Sequence, residues 1–440
     1  MAEPLRAALV SCGNRARMFA GFCREHPEMI RLVSVSDPRQ EWRQAEARLN
    51  GLPDSAAFES FTGQFAAGAP PADVALVASN DRTHYAATLA AMKAGCHVLL
   101  EKPVAHDPVL TAHLSLAARR LGRKVAVQHE LRYSPFFQEV RKIVSEGRLG
   151  QVYSYTHTEH VEFWHMTHSF VRGNWNNSND ENPMILAKCC HDLDLMPWIL
   201  GDRVTQVSSF GRLDHFTRAN KPAGAPERCT DGCPVQATCI HDAEAFYLGP
   251  RTDWPVAVMG PGMVNTESSP QERRRRLVAS PYSRCVYNGH NNVVDHQTVT
   301  METARGTLCT LTMEGFSIGE ECGRKIRLDG TLGTLRGDMG RGLIQVYRHW
   351  HGPFGTKAAP EVIDLNRAGM DGHGGGDELL FEHAIRCFWS GQGDPLTSID
   401  ESVESHLLAW AAEEARQNRR VVDMEEFRRR TMAQAERMGE

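Results

Sequence analysis

Short apolar runs alternate with amphipathic stretches over the first 128 residues of the chain. Arg6–Val10, Leu32–Val35, Val74–Ala78, Val98–Leu100 and Lys124–Val127 are apolar almost throughout, as strands buried on both faces are. The gaps carry helical periodicity. Tyr85–Ala94 is one such stretch, and Gly95 follows it in the place of a helix C-cap. Repeated strand, loop and helix predict a doubly wound parallel sheet with right-handed crossovers over residues 1–128. After Gln128 the period changes. Val152–Glu162, Gln297–Glu302, Thr307–Met313 and Leu343–Tyr347 alternate apolar and polar residues, the pattern of half-buried antiparallel strands. Helical stretches lie among them at Met184–Leu200, Leu379–Trp389 and Val403–Gln417. Residues 129–440 therefore read as an α+β domain on a large, mostly antiparallel open sheet. Between about 212 and 292 the chain is rich in Gly, Pro, Arg and Cys and shows little periodicity, which predicts an insertion with a staple of its own.

Composition narrows the partners. A formal charge of −5 over 440 residues excludes a general nucleic-acid binder, which needs a basic face. The dense basic run Arg273–Arg276, flanked by Gln271 and Glu272, reads as a solvated helix face. No stretch approaches a membrane span, and the N-terminus lacks signal-peptide organisation, so a cytoplasmic protein is expected. Twelve cysteines are too few for a disulfide scaffold of this length.

The first strand ends in Val10-Ser11-Cys12-Gly13-Asn14-Arg15-Ala16 before a helical pattern. Backbone N–H groups at such a helix start can hold a pyrophosphate. The glycine fingerprint of dinucleotide sites is degraded here, with Ser11 and Ala16 in place of its first and last glycine. Asp37 closes the second strand about twenty residues on, where a carboxylate accepts the ribose hydroxyls of NAD and repels the 2′-phosphate of NADP. Arg39 and Arg43 stand close enough in sequence to rescue NADP binding, but on the strength of Asp37 NAD is expected ahead of NADP.

Further on come Ser79-Asn80-Asp81-Arg82-Thr83-His84 and Cys96-His97-Val98-Leu99-Leu100-Glu101-Lys102-Pro103. With Leu131-Arg132-Tyr133-Ser134-Pro135 and Leu149-Gly150-Gln151-Val152, these resemble the glucose–fructose oxidoreductase/inositol dehydrogenase/rhizopine catabolism family of NAD(P)-dependent oxidoreductases. The resemblance runs strongly from residue 5 to about 210 and more loosely beyond. It implies a Rossmann domain whose cofactor residues are Ser11, Gly13, Asn14, Arg15, Asp37, Ser79, Asn80, His84, Glu101, Lys102 and Pro103. In that family Glu-Lys-Pro, often with a cis proline, lies beside the nicotinamide, and the lysine reaches the substrate hydroxyl. A cation there stabilises the alkoxide that develops as hydride leaves. The family also carries Asp-x-x-x-His-x-x-Asp, with the histidine as proton acceptor. His191 and Asp194 match it, but Ala187 replaces the first aspartate, which leaves Asp194 as the expected orienter of His191. Lys102, His191 and Asp194 are the implied catalytic set.

Polar clusters suited to vicinal hydroxyls surround His290, Asp295 and His296, and again His373 and Asp377 beside Gly372. Arg132, Tyr133 and Arg172 complete the expected substrate residues, and the aromatic-rich stretch Val152–Trp175 suits the apolar face of a sugar. Cys229, Cys233 and Cys239 lie close enough to collect one ion, with Cys285 expected as fourth ligand and His241 or Cys190 as alternatives. A structural zinc is expected ahead of an iron–sulfur cluster. The reading is a hydride-transferring oxidoreductase acting on a ring hydroxyl of a sugar or cyclic polyol. The alternative is a glycosidase that oxidises transiently, eliminates and re-reduces. By resemblance a homodimer or homotetramer is expected, and charge and the lack of a long apolar stretch predict binding to neither nucleic acid nor membrane.

Overall fold

The apolar runs of the first part of the chain form one six-stranded parallel sheet. Its strands are β1 (Leu5–Val10), β2 (Ile30–Ser36), β3 (Ala57–Phe58), β4 (Val74–Val77), β5 (His97–Leu100) and β6 (Val125–Val127), in the order β3-β2-β1-β4-β5-β6. This computed structural model describes residues 3–250, 254–261, 263, 268–350, 359–365 and 373–439. Both faces of the sheet are covered: Leu9, Leu76 and Leu99 pack into one core, Val10, Val77 and Leu100 into another. That double burial is why the strands read as continuous apolar segments. Val10 pairs with Ser36 on one side and Val77 on the other, so the loops after β1, β2 and β4 leave one carboxyl edge together. The strand order reverses between β1 and β4, where open α/β sheets bind ligands.

The expected helix at Tyr85–Ala94 begins earlier, at Asp81, and ends at Lys93. Gly95 then takes φ +93°, as a residue just past a helix end does. A later helix, Gly376–Ser390, returns to the first sheet and buries Phe381 against Phe19 and Phe22. Gly376 is required at its start, because a Cβ there would collide with the Glu130 carbonyl.

The second sheet has nine strands: β7 (Val152–Glu162), β8 (Val204–Arg212), β9 (His296–Thr303), β10 (Leu308–Ser317), β11 (Gly323–Gly330), β12 (Gly333–Asp338), β13 (Leu343–Arg348), β14 (Glu361–Asp364) and β15 (Val422–Asp423). The order is β14-β13-β12-β11-β7-β10-β9-β8-β15, and β7 with β10 is its one parallel pair. Burial alternates along β9 and β10 because one face packs on the core.

The single helix expected over Met184–Leu200 is two: Met184–Ala187 and Cys190–Leu200, interrupted at Lys188 and Cys189. Periodicity could not reveal this, since both pieces are buried on every side. Residues 212–292 are not structureless. They hold short helices around a small core of Cys229, Ala243, Tyr247, Val256, Met259, Met263, Leu277 and Tyr282. The basic run lies on one of these, Pro270–Ala279. Its Arg274 and Arg275 pair with Glu244 and Glu272 at the surface, but Arg276 reaches across to Glu41 at 2.6 Å, beside the nucleotide-binding edge.

Candidate active site

The turn after β1 is built for an anion. Ser11 holds φ +77°, the conformation that a glycine of the dinucleotide fingerprint would supply. Gly13 caps the Asn14–Glu25 helix without any side-chain bond, and the first turn carries no acid. Its N–H donors are thus left for a phosphate. Asn80 begins the Asp81–Lys93 helix, also without a side-chain cap, and donates through Nδ2 to Glu181 at 2.9 Å. Asp37 is buried and accepts the Cys12 N–H at 2.9 Å, which ties the ends of β1 and β2 together. The same carboxylate takes two bonds from the Arg39 guanidinium, at 2.9 and 2.8 Å, and Arg39 lies over the Trp42 ring. Burial works against the Asp37 charge, but Arg39 and the backbone donors hold the group below the usual carboxylate range.

Glu101-Lys102-Pro103 follows β5, and the Lys102–Pro103 peptide is cis. Lys102 Nζ donates to the Ala187 carbonyl at 3.0 Å. A continuous helix would offer that carbonyl to the N–H of His191; the break at Lys188 leaves it to the lysine. Glu101 accepts from Arg15 Nε at 2.5 Å, and Arg15 reaches Asp377 with its other end at 2.7 Å. His84 lies between the two loops expected at the cofactor edge. It is buried, with its ring nitrogens on the carbonyls of Pro103 (2.7 Å) and Ser79 (2.9 Å), so it positions both loops.

His191 sits on the first turn of the Cys190–Leu200 helix, with Nε2 3.6 Å from Glu130 Oε1. Glu130 was not expected in the site. It belongs to a short turn after β6 and lies 3.1 Å from His373 Nε2, whose Nδ1 meets Asp377 at 2.6 Å. Burial, then the charge on Lys102, holds the His191 ring well below its ordinary value and therefore neutral. His373 moves the other way: burial opposes its charge, but Glu130 and Asp377 outweigh it and raise the pKa. Glu130 is itself pushed up by burial. Two histidines 6.2 Å apart are thus set to opposite protonation states. Donor atoms of Glu130, His373 and Asp377 all lie within 4.8 Å of one another. Arg15 and the histidine already balance the carboxylates there, as an acid–base cluster requires.

Several buried polar atoms in this region lack partners: Gln128 Oε1, both nitrogens of His129, Glu130 Oε2 and His191 Nδ1. Buried polar groups are normally paired. Their gathering beside Lys102 fits the binding of a polar, hydroxyl-rich ligand together with a dinucleotide.

Other expected residues lie elsewhere. Asp194 does not orient His191; Arg132 grips it through two bonds at 2.6 and 2.8 Å, and both are buried. Arg132 is thereby spent as well. Tyr133 is buried, bonded to His383 at 2.9 Å and to the Leu396 N–H at 3.1 Å. Arg172 points into the insertion. Asp295 accepts the N–H groups of Asp214 and His215 and meets His296 at 2.7 Å, a turn-closing role. His290 is exposed. Of the expected substrate residues, His373 and Asp377 do converge on the site; Gly372 lies outside the described residues. A buried network beneath the site also went unread: Arg324 joins Asp192 and Glu159, and Glu159 meets Lys188 at 3.3 Å. Only the sheet register places Arg324 opposite Glu159.

A parallel sheet in this strand order with a phosphate turn, an open mixed sheet after it, and a histidine–carboxylate cluster on the turn and helices beside them define a dinucleotide-dependent oxidoreductase. The chain belongs to the family described as the oxidoreductase family with an NAD-binding Rossmann fold, matched at residues 5–129, and its C-terminal alpha/beta domain, matched at 141–424. Among relatives, YteT of Bacillus subtilis is 22% identical over 318 residues, 70% of this chain and 71% of that protein. D-glucoside 3-dehydrogenase of Escherichia coli is 34% identical over 153 residues, 34% of this chain and 42% of its own. Inositol 2-dehydrogenase of Streptomyces avermitilis is 29% identical over 235 residues, 52% of this chain and 61% of its own. The matches to these two dehydrogenases thus span less than two thirds of their length. An Agrobacterium radiobacter oxidoreductase in complex with NAD+, L-tartaric acid and magnesium superposes with TM-score 0.67 at 16% identity, covering 96% of this chain and 99% of that one. The WlbA dehydrogenase of Chromobacterium violaceum, with NADH and UDP-GlcNAcA, gives 0.65 at 18% identity, covering 96% of both chains. Among the described residues no helix is long and apolar enough to cross a membrane.

Proposed function

We propose that this protein is an NAD-dependent dehydrogenase that oxidises or reduces a ring hydroxyl of a sugar, sugar derivative or cyclic polyol. One observation carries the reading: unpartnered buried polar atoms of His129, Glu130 and His191 gather beside the Lys102 ammonium at the edge of a dinucleotide-binding sheet. Relatives named as glucoside and inositol dehydrogenases support the substrate class.

When bound, a nicotinamide supplies the acceptor or donor of hydride. The chain manages the proton and the charge. Lys102 leaves the Ala187 carbonyl for the substrate oxygen and stabilises negative charge there more in the transition state than in the neutral alcohol. His191, neutral at rest, accepts the hydroxyl proton through the nitrogen facing the substrate. Glu130, 3.6 Å away, stabilises the imidazolium that forms. Arg15, between Glu101 and Asp377, presents a cation at the phosphate turn. Asp37 favours NAD over NADP.

A second reading, transient oxidation followed by elimination of an aglycone, is favoured by the extra pair of Glu130 and protonated His373. Elimination needs one group to take a C–H proton and another to protonate the leaving oxygen. Incubation with a panel of cyclic polyols, free sugars and aryl glycosides, followed by NADH absorbance and product analysis, separates the two. NADH accumulating with a ketone product supports the dehydrogenase. Aglycone release without net NADH supports elimination. Inertness toward the whole panel with either cofactor overturns the substrate class.

A further inference from the structure

Three cysteines of one short stretch and a fourth from the far end of the insertion face the same space in the fold. Cys229, Cys233, Cys239 and Cys285 line a single cavity of about 20 Å³, together with His241 and Arg172. Cys190, the other thiol considered from sequence, lies in the main core instead. The two ends of the insertion are tied beside this cavity, where the Cys285 N–H donates to the Glu227 carbonyl and Arg228 bridges Arg284.

Two buried side chains at the cavity call for an anionic partner. Arg172 is buried, and among the described residues it forms no ion pair with a carboxylate. It donates to the carbonyls of Arg284 and His241 and lies 3.6 Å from Cys229 Sγ. A buried cation is destabilising without a counter-charge; Asp242, which also lines the cavity, is engaged as the cap of the Ala243–Leu248 helix, and the thiols, once ionised, are the groups beside Arg172 that can supply it. His241 is 5% exposed, and neither ring nitrogen has a partner. Neutral thiols are weak donors and acceptors; metal-bound thiolates carry negative charge and accept N–H bonds more strongly, which suits both residues.

We propose that Cys229, Cys233, Cys239 and Cys285 bind one structural zinc ion, with Arg172 and His241 donating hydrogen bonds to its thiolate sulfurs. About 20 Å³ of space among four thiols suits one small ion, and four thiolates are a donor set for zinc. The thiols stand around the space rather than against one another. Ligation at ~2.3 Å per sulfur draws them inward on the ion. The site is closed, with four protein ligands, and therefore has no catalytic vacancy. Its work is to fasten the insertion whose Arg276 reaches Glu41 beside the nucleotide edge.

Full-length protein prepared without chelator tests this by elemental analysis and assay of acid-labile sulfide. About one zinc per chain and no sulfide is expected. Cys233→Ser and Cys285→Ser should lose the zinc, whereas the remote Cys322→Ser keeps it. His241→Ala should also keep it, but should release it to a chelator at least about tenfold faster. If the cysteine variants fail to fold, growth of the wild-type protein on cobalt supplies the second measurement: intense ligand-field bands of a tetrahedral cobalt thiolate are expected. Metal-free native protein, iron with labile sulfide, disulfides among these four cysteines by non-reducing mass spectrometry, or zinc retained by Cys233→Ser would each overturn the proposal.

Discussion

Lys102 Nζ rests on the carbonyl of Ala187, 3.0 Å away, at the residue where relatives of this chain are expected to carry an aspartate. The interrupted helix replaces a carboxylate partner with a backbone dipole, so the ammonium is oriented without being neutralised. Its charge therefore remains available to a substrate oxygen. Lys102→Met keeps the length of the side chain and removes the charge. Turnover on the true substrate should fall by roughly a hundredfold or more, the usual loss of one electrostatic group. NADH affinity, read by fluorescence titration, should change far less. Full turnover in Lys102→Met would remove the lysine from the chemistry.

The clasp of Asp37 by Arg39 makes a prediction about cofactor choice. While both are present, the guanidinium is spent on the carboxylate rather than on a 2′-phosphate. Asp37→Ala removes the repulsion and frees Arg39 in one step. The ratio of NADPH to NADH affinity should rise by at least about tenfold, or ~1.4 kcal/mol. The double variant Asp37→Ala, Arg39→Ala should lose most of that gain. An unchanged ratio in both variants would show that neither residue reads the ribose.

Much of this was legible before the structure, and the reasons differ by element. Strands β1, β4 and β5 announce themselves because both faces are buried. Strand β7 does so because one face is. Lys102 and His191 were marked by motifs. Glu130 was not: it is one residue of a short turn, and its role depends on Gly376 letting a distant helix settle onto its carbonyl. The misplacement of Arg132 and Asp194 has a similar cause. Each was chemically suited to a site, and each is taken by the other in a buried pair, with Asp194 3.9 Å from His129 and not bonded to His191. Sequence shows the donors that a residue offers, but not which neighbour takes them first.

That pair supplies a stability test. Asp194 is enclosed, and burial raises its pKa despite the guanidinium of Arg132. Removing Asp194 leaves the buried Arg132 guanidinium with the exposed Glu401, 3.6 Å away, as its remaining carboxylate, a loss of up to about 3–5 kcal/mol. Asp194→Asn should therefore lower the urea midpoint strongly. The residual folded enzyme should keep its pH–rate profile, because the carboxylate does not meet His191. A shifted profile at unchanged stability would restore Asp194 to the proton path.

Glu181 gives the molecule a pH dependence near neutrality. Burial, and after it the charge of Asp81, pushes this carboxyl up to about 7. Bonds from Asn80 Nδ2 and the Arg82 N–H favour the ionised form but do not win. In the unfolded chain the same group titrates in the ordinary carboxylate range, near ~4.3. Between those values the folded state holds more protons than the unfolded one, so stability falls as pH rises. The stabilisation is complete below the unfolded pKa and is lost as pH climbs through about 7. With allowance for partial solvent access, the lost stability is about 1 kcal/mol. Glu181→Gln cannot ionise and removes this slope. Urea unfolding at pH 5.5 and pH 8 should find the variant's stability relative to wild type higher at pH 8 than at pH 5.5. Equal differences at the two pH values would mean that Glu181 does not titrate in this window. The bond that fixes Asn80 at the cofactor edge would then be to a carboxylate at both.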